Sequence, residues 1–315
     1  IRRQRQMCIR DRYNGGDGPL ILVDGVERSM AYINPNEVES VTILKDAASC
    51  AVYGMKAAAG VILVTTKRGT EGKTTINYKG SLTLSHATTL PEFMNGTHYM
   101  QWYNYARRMD GEKAYFTDEE IAMTTNGDPT DGFENTNWQE PIYRTTLMHQ
   151  HNLSISGGNE KTRYFLSGGF MKQNGFIKGF ELERGNFRSH IDTQVTKDIS
   201  VSLNVAGKIN DYYQPGGDSY ENQTTNNVVG VLLYAAPFVP LEYEGMPASG
   251  YRGASNPDYA AGHSGYSKIR TMRLETSAKI EYSFPFLKGL KAGMFVGWDW
   301  QDRDSRSFKY SYELM

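Results

Sequence analysis

The sequence has no long apolar run. No segment approaches the roughly 18 consecutive apolar residues that a membrane-spanning helix requires, so we predict no such helix. This absence does not exclude a membrane. A transmembrane β-barrel crosses the bilayer with alternating strands of about 10 residues, in which every second side chain faces a polar lumen.

Cysteine and net charge are also scarce. The 315 residues include two cysteines, Cys8 and Cys50, which are too few for a disulfide framework. Small residues surround Cys50 in the sequence, which indicates a packed side chain rather than a reactive thiol. The chain has 34 Lys and Arg against 35 Asp and Glu, and this balance predicts no nucleic-acid partner.

Sequence motifs of enzyme chemistry are missing as well. The sequence has no nucleophile elbow, zinc-binding helix, paired cysteines or phosphate-binding glycine loop. Ser, His and Asp residues are present, but no spacing among them selects a catalytic triad, which is defined by geometry. We therefore expect no enzyme, no catalytic residue and no cofactor.

Glycine and tyrosine, by contrast, are abundant. The 32 Gly and 21 Tyr favour many strands joined by tight turns. Residues 19–68 form a first unit with apolar strands at Leu20–Val23, Val41–Leu44 and Val61–Thr66. The last of these is a continuous run rich in β-branched residues, which predicts a strand buried on both faces.

Two helical segments are predicted between these strands. Asn34 followed by Pro35 indicates an N-cap and a first helical position, and therefore a single short turn. Asp46 can cap a second helix over residues 47–53, which Gly54 would end. The unit thus has mixed α/β character.

From Gly72 onward the strands alternate strictly between apolar and polar residues. Several exceed the roughly 5–6 residues usual in soluble sheets, and aromatic residues mark their ends. The seven candidate strands lie at about 73–86, 149–158, 162–173, 185–196, 199–206, 272–283 and 290–301. Short turns alternate with long polar segments at 87–148 and 210–268, which is the pattern of an outer-membrane barrel. A soluble β-sandwich, which also alternates, is the alternative.

Two blocks of sequence carry a resemblance to a known family. The first reads NPNEVESVTILKDAA at 34–48, AVYG at 51–54 and AAGVILVTTKRG at 58–69; the second reads HNLSISGGNEKTRYF at 151–165. In this order and spacing, they resemble the SusC/RagA branch of TonB-dependent outer-membrane receptors more than siderophore receptors. The residues that carry the plug motif are Lys45, Asp46, Tyr53, Gly54, Gly60, Thr65, Lys67 and Gly69.

The resemblance implies a mostly β fold in two parts. Residues 13–70 would be the C-terminal part of a small α/β plug domain. Residues 71–315 would be about seven of the 22 strands of a transmembrane antiparallel β-barrel. Residues 1–12 are basic and aperiodic and resemble translated sequencing-adapter DNA, so we expect them to be non-native. We expect the TonB box and most of the barrel to lie outside this sequence.

The resemblance also implies a function. Receptors of this branch import oligosaccharides or peptides through the outer membrane of Gram-negative bacteria, with TonB pulling on the plug and a SusD-like lipoprotein capping the barrel. Outer-membrane lipid would surround the barrel. Two alternatives stay open, a siderophore or vitamin receptor of the same fold and a soluble carbohydrate-binding β-sandwich.

Aromatic residues of the two long segments are candidates for ligand contact. Aromatic faces stack on sugar rings, although packing within the loops would explain the same residues. The candidates are Trp102, Tyr103, Tyr105, Trp138, Tyr212 and Tyr213, accompanied by Tyr220 and Tyr243.

Charged residues of the plug motif are candidates for contacts that change when the plug moves. Lys45, Asp46, Lys67 and Arg68 would pair with the barrel wall, or else form ordinary surface ion pairs.

No metal site is expected. His149 and His151 share one face of a strand, but no third ligand has a suitable spacing. Residues 126–132 lack the terminal acid of a calcium loop, which favours a turn-rich connector. Thr117 and Glu120, just before it, predict a capped helix.

Overall fold

The structure, a computed structural model, describes residues 18–30, 33–46, 50–127, 132–216, 228–248, 256–263, 265–287 and 289–309. The first strands are β1 (Leu20–Val23), β2 (Val26–Glu27), β3 (Val38–Leu44), β4 (Val61–Thr66) and β5 (Gly72–Ser85). Later strands are β6 (Thr146–Gly158), β7 (Thr162–Asn174), β8 (Glu181–Gln194), β9 (Ile199–Pro215), β10 (Glu242–Tyr243), β11 (Met246–Pro247), β12 (Gly265–Ser283) and β13 (Lys291–Lys309). The α-helices are α1 (Gly96–Met109), α2 (Asp118–Asn126), α3 (Val228–Tyr234) and α4 (Pro257–Gly262).

Some predictions fall outside these ranges. Residues 1–12, Cys8 and Tyr220 lie outside the described residues. Among the residues that are described, no helix is long and apolar enough to span a membrane.

The first unit, which we call the plug unit (residues 18–69), contains a four-stranded sheet in the order β2-β1-β4-β3. Strand β4 pairs parallel with β1 and antiparallel with β3. Val61 and Thr66 are 0% exposed and Val64 is 2% exposed, which confirms that this strand is buried on both faces. A two-residue turn joins β1 to β2, with φ of 49° at Asp24 and 88° at Gly25, as tight hairpins require.

The first predicted helical turn is confirmed. Pro35–Glu37 forms one 3-10 turn, and the side-chain oxygen of Asn34 accepts a hydrogen bond from the backbone N–H of Asn36 at 3.0 Å. A 3-10 turn at Ala51–Tyr53 lies at the end of the segment that was predicted as a second helix, and another, Met55–Ala57, follows Gly54. Its residues 47–49 lie outside the described residues, so the start of that helix stays a prediction.

The cysteine in this segment is packed as predicted. Cys50 is 8% exposed, and its buried neighbours include Ala57 and Val61. Its Sγ lies 3.6 Å from the carbonyl oxygen of Leu44. The thiol is therefore packed within an apolar cluster of the plug unit.

The seven alternating segments form one antiparallel sheet in the order β13-β12-β9-β8-β7-β6-β5. Each strand therefore pairs with its neighbours in chain order, as an up-and-down barrel wall requires. The predicted bounds of the second long segment were wrong. Strand β9 continues to Pro215 and β12 begins at Gly265, so the second long segment spans 216–264 rather than 210–268. Residues 210–213 pair with both β8 and β12, and Gln214 and Pro215 continue the pairing with β12.

The two faces of this sheet differ in chemistry. The inner face lies against the plug unit and carries polar side chains such as Arg188, Asn204 and Glu275, each at most 8% exposed. The outer face is apolar and exposed. Its large side chains include Ile76, Leu82, Leu84, Leu147, Leu153, Leu166, Phe170, Phe187, Leu203, Ile209, Ile280, Met294, Val296, Trp298 and Trp300, all 39–71% exposed. A soluble β-sandwich buries its apolar face, so this arrangement favours the barrel over the sandwich.

The apolar band on the outer face is staggered from strand to strand. On β5, the centre of the band lies near Gly80. If each residue is followed to its cross-strand partner on the next strand, the path that starts at Gly80 ends at Asp302 on β13. On β13 the centre lies instead near Val296, about six residues away, which is about one residue per strand. Because a residue rises about 3.3 Å and strands lie about 4.8 Å apart, the strands tilt by roughly 35°. Roughly ten residues of such a strand span about 27 Å, close to the apolar band of outer-membrane barrels.

The long connections lie at one end of the sheet and pack on each other. Backbone hydrogen bonds join the two long segments, with Glu134 N to Phe238 O at 3.0 Å and Thr136 N to Pro237 O at 2.8 Å. The shorter connection after β7 joins them through Lys178 N to Ile142 O at 2.9 Å. We call this set of packed connections (residues 86–127, 132–145, 175–180, 228–248 and 256–263) the loop layer.

Two buried apolar clusters hold the loop layer together. The first contains Met100, Phe116, Ala236 and Phe238; the second contains Trp138, Ile142, Val228, Leu232, Ala260 and Ala261. Helix α2 has the predicted capping box, in which Thr117 and Glu120 satisfy each other's backbone N–H groups. The loop layer is therefore an ordered structure with its own core.

Candidate functional site

The plug unit meets the inner face of the sheet through buried polar side chains. Glu37 is 4% exposed, and its Oε2 accepts a hydrogen bond from Arg188 Nε at 2.8 Å. Its Oε1 accepts from Asn186 Nδ2 at 2.5 Å and from Ser167 Oγ at 3.1 Å. The capped turn at Asn34 ends at Glu37, so the local sequence fixes where this carboxylate projects.

A second ion pair joins the same two parts of the molecule. The guanidinium of Arg28 donates two hydrogen bonds to Asp299, at 2.6 Å from Nη2 and 2.9 Å from Nε. Glu275 lies 3.8 Å from the same group. Burial lowers the pKa of Arg28, but the hydrogen bond to Asp299 and the charges of the two acids outweigh it, so the net pKa is raised. Arg28 is therefore a permanent cation at this contact.

Neutral hydrogen bonds complete the contact. Asn34 Nδ2 donates to Asn152 Oδ1 at 2.8 Å. Asp24 accepts from Asn204 Nδ2 at 3.3 Å while it also accepts from Thr66 Oγ1 at 2.6 Å. These residues, together with the two ion pairs, are called the plug–wall contact below.

The plug–wall contact has a chemistry suited to release. Among the described residues, each buried apolar cluster lies wholly within the plug unit or wholly within the loop layer, and none bridges plug and sheet. Removing one partner of a buried ion pair costs about 3–5 kcal/mol, because it strands a charge away from water. Moving the whole plug away instead lets water reach both partners, so much of that cost is avoided.

The charged residues predicted from the plug motif lie elsewhere. Lys67 Nζ donates to the carbonyl oxygen of Asn36 at 2.7 Å and so braces the turn that ends at Glu37. Among the described residues, no salt bridge joins Lys45, Lys67 or Arg68 to the sheet. The backbone carbonyl of Asp46 accepts from the N–H of Cys50 at 3.1 Å.

The remaining motif residues shape the plug backbone. Gly54 has φ of 70° and Gly60 has φ of 102°, conformations that side chains disfavour, and a Cβ at Gly60 would lie 3.0 Å from Leu44 O. Gly69 approaches the sheet so closely that a Cβ would overlap the backbone of Tyr164. Thr65 pairs within the ladder of the plug sheet, and Tyr53 packs beneath it.

The aromatic candidates of the first long segment separate into two groups. Trp138 is 4% exposed and donates its indole N–H to Ala236 O at 2.9 Å, and Tyr103 packs against Phe116, so both help to build the loop layer. Trp102 and Tyr105 are 60% and 55% exposed, with ring centroids 5.5 Å apart on helix α1. These two side chains are available to a ligand or partner.

The other two aromatic candidates lie on strand β9, not in a loop. Tyr213 lies on the outer face, where Lys268 Nζ is 4.7 Å from its ring centroid. Tyr212 projects to the opposite face, with its ring centroid 6.5 Å from that of Phe180. The structure therefore does not gather the six candidates into one site.

The two histidines are neighbours on the outer face of the sheet. His149 and His151 have ring centroids 5.4 Å apart on the outer face, and His151 Nδ1 lies 2.6 Å from Tyr78 Oη. In the described part of the chain, no group of three or more His, Cys, Asp or Glu side chains is placed to hold a metal ion. Residues 128–131 of the connector considered as a calcium loop lie outside the described residues.

The residues of the plug–wall contact were not predicted from the sequence. Arg28 was not a candidate, and Asn34 and Glu37 were assigned to a local turn and to the first block of the family resemblance, without a contact to the sheet. One signal was available: Arg188 and Glu275 are charged residues on the polar face of alternating strands, where a buried partner would be needed. The partner itself depends on the docking of two separate sheets, which periodicity does not reveal.

Comparisons with known proteins agree with this geometry. The family model of the TonB-dependent receptor plug domain matches residues 2–61, beginning inside the segment that was expected to be non-native. The receptor SusC of Bacteroides thetaiotaomicron is 26% identical over 324 aligned residues, covering 92% of this chain and 30% of SusC. TonB-dependent receptor P3 of Formosa agariphila is 33% identical over 195 residues, covering 62% of this chain and 17% of P3.

Solved structures support the same fold. The RagAB peptide transporter matches with a TM-score of 0.73 and 21% identity, covering 92% of this chain and 36% of the matched chain. The chain thus spans about a third or less of the length of the relatives it matches. A plug unit seated on the polar face of a tilted antiparallel sheet defines the class of plugged β-barrel receptors. Within that class, the chain is similar to TonB-dependent receptors of the SusC/RagA type.

Proposed function

We propose that this chain is part of a receptor that imports oligosaccharides or peptides across the outer membrane of a Gram-negative bacterium. TonB would pull on the plug, and a SusD-like lipoprotein would capture the nutrient at the loop layer. The observation that carries the proposal is the plug–wall contact. It fastens the plug to a polar inner face through ion pairs, while the outer face of the same sheet is apolar.

Several features support individual parts of the proposal. The apolar band of about 27 Å on the outer face matches the hydrocarbon core of an outer membrane. The loop layer presents Trp102 and Tyr105 as exposed aromatic surfaces, which suit sugar rings or a protein partner. One structural neighbour, RagAB, is a peptide importer, which favours peptides as one of the two substrate classes.

The proposal is tested by uptake in intact cells that carry a receptor containing this chain. Fluorescently labelled oligosaccharides and peptides would be supplied to cells with and without a functional TonB protein. We expect at least one probe to enter only when TonB is active, and loss of the SusD-like partner to reduce its uptake. Uptake that is equal in the presence and absence of TonB would contradict the proposal.

A matched pair of variants separates capture from transport. Replacing Trp102 and Tyr105 with alanine removes two exposed rings of helix α1, and we expect probe uptake to fall while receptor abundance stays the same. Replacing the exposed Met109 on the same helix serves as the control. If the variant without Trp102 and Tyr105 and the Met109 control took up the probe equally, the two exposed rings would have no part in capture.

A further inference from the structure

Positive charge is concentrated on one face of the seven-stranded sheet. The cross-strand partners of Arg188 identify the inner face on every strand of the sheet. Because successive side chains of a strand alternate between faces, each side chain of these seven strands can be assigned to the inner or the outer face. The inner face carries ten basic residues: Lys79, Arg163, Arg184, Arg188, Lys208, Arg273, Lys279, Lys291, Arg303 and Lys309. It carries four acidic residues: Asp192, Glu275, Glu281 and Asp299.

The outer face of the same strands shows no such excess. Its basic residues are Lys172, Lys268, Arg270 and Arg306. Its acidic residues are Glu181, Glu183, Asp211, Asp302 and Asp304. Since the whole chain is close to neutral, with 34 basic and 35 acidic residues, the inner face is selectively basic.

Three of the inner cations lie together beside the plug–wall contact. Lys208 pairs across the ladder with Arg273 on one side and with Asn186 on the other, and it is 8% exposed. Arg184 lies two residues further along β8, and its Nε donates to the neutral side chain of Asn210 at 3.0 Å. We call Arg184, Lys208 and Arg273 the cation cluster.

The acids around the cation cluster are shared with other cations. Glu37 accepts from Arg188, and Glu275 lies 3.8 Å from both Arg28 and Arg273. A small cavity at this level is lined by Glu37, Arg188 and Glu275 together with Lys208 and Arg273 of the cluster. Among the described residues of this region, positively charged side chains therefore outnumber acidic ones.

We infer that the cation cluster binds an anionic group, a carboxylate or a sulfate, carried by the molecule that the receptor imports. Two guanidinium groups and an ammonium suit such an anion, because charge-assisted hydrogen bonds to carboxylate are short and strong. A channel lined by one sign of charge also concentrates oppositely charged solutes. The inference rests on the proposed function and narrows it to acidic oligosaccharides or acidic peptides.

The test measures binding to a purified receptor that contains this chain, in complex with its SusD-like partner. The carbohydrate probes are an oligogalacturonide and a neutral oligosaccharide of equal length. The peptide probes are a glutamate-rich peptide and its glutamine counterpart. By calorimetry, we expect at least one acidic probe to bind about tenfold tighter than its neutral counterpart at low salt. The preference should shrink as ionic strength rises.

Variants locate the preference on the cation cluster. Arg184→Gln and Lys208→Gln should each remove most of the preference, Arg184→Lys should keep part of it, and neutral probes should bind as before. Lys291→Gln, at the opposite end of the inner face, is the matched control and should keep the preference. Outer-membrane abundance and heat-dependent mobility on gels would report that each variant folds.

The outcomes separate this inference from the proposed function. Equal binding of acidic and neutral probes by the wild-type receptor would overturn the inference, as would equal effects of Lys208→Gln and Lys291→Gln. Binding with charge preference, but without TonB-dependent uptake, would support the inference and contradict the proposed function. TonB-dependent uptake without charge preference would support the proposed function and contradict the inference.

Discussion

The plug–wall contact and the loop layer hold parts of the molecule together by opposite means. The plug–wall contact depends on buried ion pairs such as Glu37–Arg188, with side chains 5% and 3% exposed. The loop layer depends on apolar clusters around residues such as Met100 and Ile142, which are 0% and 1% exposed. Polar contacts can be exchanged for water, whereas apolar contacts cannot, so the first suits a part that moves and the second a part that stays assembled.

The largest expected effect comes from breaking the buried ion pair. Glu37→Gln removes the charge but keeps the shape, and it leaves Arg188 buried without its carboxylate partner. We expect the plug–wall contact to weaken by about 3–5 kcal/mol. The measurement is the urea concentration at which a protease cuts the plug unit of a receptor containing this chain.

The neighbouring exposed acid Glu39 supplies the control for this variant. Glu39→Gln should leave the urea midpoint unchanged. A double variant, Glu37→Gln with Arg188→Met, should recover much of the lost stability, because an apolar replacement strands no charge. If Glu37→Gln and Glu39→Gln behaved alike, the ion pair would not hold the plug.

A somewhat smaller effect is expected in the loop layer. Met100→Ala should leave a cavity beside Phe116 and Phe238 and destabilise the layer by about 3 kcal/mol. Hydrogen exchange of the amides in helix α1 is the measurement. This loss should not depend on salt, because no charge is involved.

Met109 lies on the same helix and is 71% exposed, so Met109→Ala is the matched control. It should change exchange rates little. Salt-dependent destabilisation by Met100→Ala would contradict the apolar account of the loop layer.

A local effect of about 1 kcal/mol is expected at the cap of helix α2. Thr117→Ala removes the side-chain oxygen that accepts from the backbone N–H of Glu120 at 3.2 Å. Amide exchange in the first turn of α2 should quicken. Thr125→Ala removes an exposed hydroxyl that donates to Ile121 O, and it should not quicken amide exchange in the first turn of α2. A change spread over the whole loop layer would mean that the cap stabilises more than its own helix.

The smallest effect is expected at an exposed ion pair of the plug unit. Lys56 and Glu27 lie 2.9 Å apart, but their side chains are 72% and 59% exposed. Lys56→Gln should change stability by less than about 0.5 kcal/mol, because water screens the pair. Urea unfolding beside Glu37→Gln provides the comparison. A loss equal to that of Glu37→Gln would show that burial is not what distinguishes the two pairs.

The seven long strands were predictable because their period of two is independent of distant contacts. The end of β9 was not, because Asp211 and Gln214 look like loop residues when read in sequence. In the structure Asp211 is bonded to Arg270 of the neighbouring strand at 2.6 Å, so its polarity is satisfied across the ladder. The extension of β9 is thus decided by register, which pattern reading does not supply.

The candidate site was less predictable than the fold. The capped turn at Asn34 could be read locally, and it does position Glu37. The pairing of Glu37 with Arg188 joins residues 151 positions apart through the docking of two sheets. The family resemblance named the plug and the barrel, but it did not identify which side chains hold them together.

The most direct test of a plug seated on the inner face is a cross-link between the plug unit and the sheet. Asn34 Nδ2 and Asn152 Oδ1 lie 2.8 Å apart, so cysteines at these two positions should react with a short bifunctional thiol reagent in a receptor containing this chain. We expect efficient cross-linking of Asn34→Cys with Asn152→Cys, and none of Asn34→Cys with Leu153→Cys on the outer face. Equal cross-linking of both pairs, or of neither, would contradict a plug seated on the polar inner face.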